Sequence, residues 1–135
     1  MKKVVLLMVT VTSLLSWTCT PPDKGPVTVV GTVGVPLGVS GENLYVYIAP
    51  EINVPDYAAI ITMSNADEYT YYIQDVEPGT YYLYALADVD GNDSIGSGDY
   101  QGFYGMNGIG APSSPNTEIS AGETNEFNFI VETIP

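Results

Sequence analysis

Four aspartates, Asp88, Asp90, Asp93 and Asp99, fall within one short stretch that also carries Gly91, Gly96 and Gly98. Two like charges about 5 Å apart at an effective dielectric of about 20 repel by roughly 3 kcal/mol, so a fold that gathers these side chains needs a counter-charge. The residue types suit coordination of a hard cation. Asp88, Asp90 and Asn92 offer alternate side-chain oxygens, Ser94 a backbone carbonyl, and Asp99 a closing carboxylate, toward the about six to eight oxygens that Ca²⁺ takes. The sequence has no His and its single cysteine is Cys19, far from this stretch. Softer metals are therefore disfavoured, and one Ca²⁺ in a structural role is the expected cofactor. The plain alternative is a hydrated acidic turn.

The spacing resembles an EF-hand loop, with Asp88, Asp90 and Asn92 at its first, third and fifth positions, Ser94 at the seventh and Asp99 at the twelfth. The sixth position, usually Gly, holds Asp93, a residue type that tolerates the left-handed backbone better than most. The twelfth holds Asp instead of the longer Glu, which predicts a looser closure. No helical pattern flanks the stretch. In this it is similar to the helix-free Asp loops of calcium-binding surface repeats and β-sandwich lipoproteins.

Strands must position these residues. Short runs rich in Val, Ile, Tyr and Thr, separated by Gly, Pro, Asn and Asp, predict strands over 27–35, 43–49, 58–63, 68–73, 80–87, 117–120 and 125–132. That pattern implies an all-β domain, a single seven-stranded antiparallel sandwich of Greek-key type with no substantial helix outside the leader. Alternation puts Leu44, Val46 and Ile48 on one face, Tyr81, Leu83, Ala85 and Ala87 on another, and Phe127, Phe129 and Val131 on a third, which together form the expected core. Glu77-Pro78-Gly79 reads as the turn between the fourth and fifth strands, with Gly79 free to take a positive φ. The glycine-rich stretch from Gly102 to Ser114 reads as loop.

Ahead of this domain, Met1-Lys2-Lys3 and the apolar run Val4–Leu15 have the layout of a secretory signal peptide over residues 1–18. Ser16-Trp17-Thr18-Cys19 resembles the bacterial lipoprotein signal, which implies cleavage before Cys19 and acylation of its thiol. Ser16 and Thr18 stand where that pattern has Leu and a small residue. Residues 19–26, with three prolines in Thr20-Pro21-Pro22-Asp23-Lys24-Gly25-Pro26, then form a short tether, and residues 27–135 form the sandwich. The resemblance implies a cell-envelope location outside the cytoplasm, at the outer membrane, its periplasmic face or the cell surface, with the membrane as a partner through the lipid.

Charge and composition exclude several functions. The net charge is −13, with three Lys and no Arg, and two of the lysines are Lys2 and Lys3. Such a surface repels nucleic acid, whose binding rests on basic side chains. Without His there is no Ser-His or Cys-His pair for nucleophilic catalysis. A carboxylate pair for glycoside hydrolysis would need a cleft, which a sandwich of this size rarely builds.

The run Tyr72-Ile73-Gln74-Asp75-Val76-Glu77-Pro78-Gly79-Thr80-Tyr81-Tyr82-Leu83 resembles the Pro-Gly-x-Tyr hairpin of carboxypeptidase-regulatory-like and CNA-B-like domains, which are prealbumin-type sandwiches. Ile119–Phe129 is similar to their last hairpin, and Val27–Val35 fits their first strand. The resemblance implies a non-enzymatic module, a stalk, spacer or attached domain. A second expectation comes from the 11 tyrosines. Tyr82, Tyr84, Tyr100 and Tyr104 are candidates for an exposed face that recognises carbohydrate or a partner protein.

Overall fold

The structure is a computed structural model and describes residues 25–36 and 39–135. The expected leader, Cys19 and all but the last two residues of the tether lie outside the described residues. Those described contain strands and turns and no helix. The strands are β1 (Val27–Gly34), β2 (Ser40–Ala49), β3 (Tyr57–Ser64), β4 (Glu68–Val76), β5 (Gly79–Ala87), β6 (Tyr100–Phe103), β7 (Thr117–Ile119), β8 (Asn125–Glu126), β9 (Phe129–Ile130) and β10 (Glu132–Thr133).

Two sheets face each other across one core. In the first, β1 pairs antiparallel with β4 on one side and parallel with β8 and β9 on the other. The second runs β10-β6-β5-β2-β3, with β7 beside the opening residues of β5, and every pair in it is antiparallel. The alternation that made Leu44, Val46 and Ile48 core candidates is met by all three being fully buried. Tyr81, Leu83, Ala85 and Ala87 join them from β5, and Val29, Val33, Tyr71 and Ile73 close over them from the first sheet. The molecule is thus an all-β sandwich.

Several boundaries differ from the sequence expectation, each for a non-local reason. Tyr100–Phe103, expected to lead into loop, is a strand because β5 and β10 supply its ladder on both sides. The terminal run expected as one strand is three segments: β8 and β9 lie on β1, and after Val131 the chain changes sheets so that β10 pairs with β6. Phe127 and Phe129 are accordingly only half-buried, whereas Val131 at the crossing is buried. At the Pro-Gly turn the positive φ belongs to Asp75, at 58°, and not to Gly79. There β1 and β4 slip register, from Val29↔Ile73 to Val27↔Val76, so Asp75 sits in a bulge.

Asparagine amides fill the gaps that such breaks leave in the ladders. Between Tyr81, paired with the first residue of β7, and Tyr84, paired with the last of β6, Leu83 of β5 has no strand partner on that edge, only the Tyr104 N–H donating to its carbonyl at 3.0 Å. Asn116 takes the place: its Oδ1 accepts from Leu83 N at 2.9 Å, and its Nδ2 donates to Leu83 O at 3.1 Å and to Tyr104 O at 2.8 Å. Asn125, which is 4 % exposed, closes the turn after β7 by accepting from Ser120 N and donating to Ser120 O, both at 2.9 Å. Asn128 Oδ1 accepts from Thr32 N at 2.8 Å, between β8 and β9. Unmade hydrogen bonds at buried backbone cost about 1–3 kcal/mol each. Asn116→Asp keeps the acceptor but cannot donate, and it sets a carboxylate against two carbonyls. Urea unfolding should show it less stable than the parent by about 2–3 kcal/mol; an unchanged midpoint would show that the amide is replaceable by water.

Candidate metal centre

β5 ends at Ala87 and β6 begins at Tyr100, and because the two strands are ladder neighbours, the twelve residues between them must turn back within the width of one strand spacing. Side-chain carboxylates supply the hydrogen bonds that this reversal removes from the ladder. Asp88 Oδ1 accepts from Gly91 N at 2.8 Å and Asn92 N at 3.2 Å, and its Oδ2 accepts from Asp93 N at 2.6 Å. Asp90 accepts from Asn92 N at 3.1 Å and from Asn92 Nδ2 at 2.7 Å. Asn92 Oδ1 in turn accepts from Ser94 N at 2.9 Å. The backbone turns sharply at Gly91, with φ of 69°, and at Asp93, with φ of 63°, so the left-handed sixth position expected of this residue is adopted.

Asp99 closes the loop from the inside. It is 1 % exposed, and its carboxylate spans the two limbs: Oδ1 accepts from Val89 N at 2.8 Å and Oδ2 from Gly96 N at 2.7 Å. Its backbone ties the loop to the end of the chain, since Ile134 N donates to Asp99 O and Gly98 N donates to Ile134 O, each at 2.8 Å. The loop therefore joins β5, β6 and the residues after β10.

One carboxylate oxygen from each of Asp88, Asp90 and Asp99 lies within 4.8 Å of the others. Two oxygens bound to one Ca²⁺ at about 2.4 Å are at most about 4.8 Å apart, so the three fit a common ion of that size. The donor set is all oxygen, which suits a hard cation. Asn92 and Ser94 lie on the same loop but are engaged with each other through the turn. Burial pushes the Asp88 carboxyl up, but the N–H donors of Asp93, Asn92 and Gly91 hold it below the ordinary carboxylate value. Those donors stabilise the ionised form, the form that binds metal.

Among the described residues no basic side chain is present to neutralise the cluster. Lys24 is the last basic residue, and from Gly25 to Pro135 the sequence has fifteen carboxylates, the sixteen of the chain less Asp23, against no Lys, Arg or His.

The four candidate tyrosines divide between the two sides of the sheet. Register pairs Ala87 with Tyr100 and Leu86 with Gln101, so Tyr100 shares the inner face with Ala87 and is buried in the main core. Tyr104 also turns inward, its ring packed on Phe127 with centroids 5.0 Å apart. Tyr82 and Tyr84 face outward, but Tyr84 is 2 % exposed beneath its neighbours. The four do not form one exposed patch. The outer face carries a different row: Tyr45 and Tyr47 of β2, then Tyr84 of β5 and Phe103 of β6, with successive ring centroids 6.0, 5.4 and 5.4 Å apart. Burial, then Tyr45 and Tyr84, push the Tyr47 hydroxyl above its ordinary pKa, so the ring is neutral. Alternation with Leu44, Val46 and Ile48 puts Tyr45 and Tyr47 on the face opposite the core; the register with β5 sets them beside the Asp loop.

Comparison with protein-family models, with curated proteins and with solved structures finds no match to this chain.

Proposed function

We propose that this chain is a non-enzymatic, lipid-anchored module of the bacterial cell envelope whose sandwich is stabilised by one Ca²⁺ in the Asp88–Asp99 loop. The observation that carries the reading is the convergence of three carboxylates in a domain without a basic side chain. Asp88, Asp90 and Asp99 supply the charge, and Asn92 and Ser94 the further oxygens. The ion balances negative charge and holds together the limbs of a loop on which β5, β6 and the chain end converge. The fold we take as the prealbumin-type Greek-key sandwich, supported by the Pro-Gly turn that carries the chain from β4 in one sheet to β5 in the other.

The placement of the first strand suits an anchored module. Val27, first residue of β1, pairs with Val76 at the end of β4, next to the start of β5, whereas the Asp loop follows the end of β5. The nine residues of β5 span about 27–30 Å at roughly 3.3 Å each. An anchor at Cys19 would thus hold the domain by one end and present the loop at the other. The absence of His, with the only Cys at the proposed anchor, supports a binding or structural role over catalysis.

Calorimetric titration of the full chain with Ca²⁺ should give one site, and Asp90→Asn, a substitution on the exposed side of the cluster, should weaken it at least tenfold. No binding heat at millimolar Ca²⁺, at two temperatures, would reject the metal.

A further inference from the structure

We propose that the hollow between the outer face of β2 and the Asp loop receives an arginine side chain from a basic segment of a partner protein. The hollow has a volume of about 220 Å³; Tyr45, Tyr47 and Leu86 line it from the sheet, and Asp88, Asp93, Ser94 and Ile95 from the loop. The two tyrosine rings are stacked, with centroids 6.0 Å and planes 6° apart, so a further planar group can extend the stack. Register puts Leu86 directly across from Tyr45, which adds an aliphatic side chain beside the rings. Asp88 and Asp93 share the lining with these apolar groups.

That combination matches one side chain best. A guanidinium is planar and weakly hydrated, stacks on aromatic rings, and donates in a fork to carboxylates, while its methylene stem packs on Leu86. Neutral sugar rings also stack on tyrosine, but the charge of the site favours a cation. Asp88, Asp90, Asp93 and Asp99 sum to −4, and a divalent ion among them leaves −2. Asp93 lies outside the converging trio and is an exposed residue of the lining. No Lys, Arg or His among the described residues competes for the hollow. The acidic surface around it would also speed the approach of a basic partner. The inference does not rest on the metal: without an ion the hollow is only more negative.

The test uses the full chain and two peptides, tri-arginine and its neutral isostere tri-citrulline, followed by the ring resonances of Tyr45 and Tyr47 at low salt, in Ca²⁺ and in chelator. Tri-arginine should shift those resonances in both conditions and tri-citrulline should not. Asp93→Asn, in an exposed loop where Asn also accepts a positive φ, should weaken binding about three- to tenfold. Tyr45→Leu should weaken it about two- to fivefold, the worth of one exposed cation–π contact. Asp56→Asn, an exposed aspartate at the other end of β2, should leave it unchanged. Equal effects of Asp56→Asn and Asp93→Asn would reduce the attraction to diffuse charge and overturn the site. So would equal binding of tri-citrulline, no shift at millimolar tri-arginine, or a larger shift of the same rings by maltotriose, which would make this a sugar site. Loss of calcium binding with retained tri-arginine binding would reject the metal and leave this inference standing.

Discussion

In millimolar Ca²⁺ the domain should melt roughly 10–15 °C higher than in chelator at matched ionic strength. A ligand that binds only the folded state at about 100 times its Kd adds about 2.7 kcal/mol, and 1 kcal/mol moves the midpoint of a domain of this size by about 4–6 °C. The loop holds its shape partly without an ion, because backbone N–H groups of Val89, Gly91, Asn92, Asp93 and Gly96 already point at the carboxylates of Asp88, Asp90 and Asp99. That preorganisation makes the ion cheaper to bind, while repulsion among the three charges remains in the apo state and is relieved on binding. Asp90→Asn separates the two effects. It removes one charge on the exposed side of the cluster, so its melt in chelator should lie within a few degrees of the parent while most of the Ca²⁺ response is lost. Added NaCl should not substitute for Ca²⁺, since charges within 4.8 Å lie well inside a Debye length of about 10 Å. Identical midpoints in chelator and Ca²⁺ would remove the stabilising role.

Local pattern determined what was legible in the sequence. β2 sets Leu44, Val46 and Ile48 against Tyr45 and Tyr47, and β5 sets Tyr81, Leu83, Ala85 and Ala87 against Tyr82, Tyr84 and Leu86, so the period-two pattern named the inner sets in advance, though not that Tyr84 on the outer face is buried as well. The Asp loop was equally plain, since most of its turn chemistry is carried by residues two to five positions apart, the Val89–Asp99 bond across its two limbs excepted. Tyr100-Gln101-Gly102-Phe103 was opaque because its strand character comes from β5 and β10, neither of them adjacent in sequence. The tyrosine face failed for the same reason: whether Tyr100 points in or out depends on its pairing with Ala87 across the loop. Asn116 looks like loop punctuation in sequence, and Asn125 and Asn128 like polar positions of one continuous strand; only the broken ladders beside them reveal an amide standing in for a peptide group.

Gly102→Ala should destabilise the domain by about 3 kcal/mol or more, as read from urea unfolding. The chain crosses from the first sheet to the second directly over this residue. A Cβ built there overlaps the carbonyl oxygen of Ile130 and comes within 2.8 Å of Val131 Cα. Both obstacles are backbone, so no rotamer change relieves them, and the new methyl must push the crossing outward, loosening β10 from β6 and exposing Val131. Gly31→Ala meets the same chain a few residues earlier. Its Cβ would overlap the carbonyl oxygen of Phe127, the atom that accepts the Tyr71 hydroxyl at 2.7 Å. Gly110→Ala is the control, with no atom within 4 Å of its Cβ and no positive φ, and should change stability by less than about 1 kcal/mol. Because Gly31 and Gly102 both hold down one terminal segment, the double substitution should cost less than the sum of the singles: once either methyl lifts β9 and β10, the second finds its clash already relieved. Full additivity would mean that the segment is held at two independent points, and a cost for Gly102→Ala no greater than for Gly110→Ala would mean that the crossing is not closely packed.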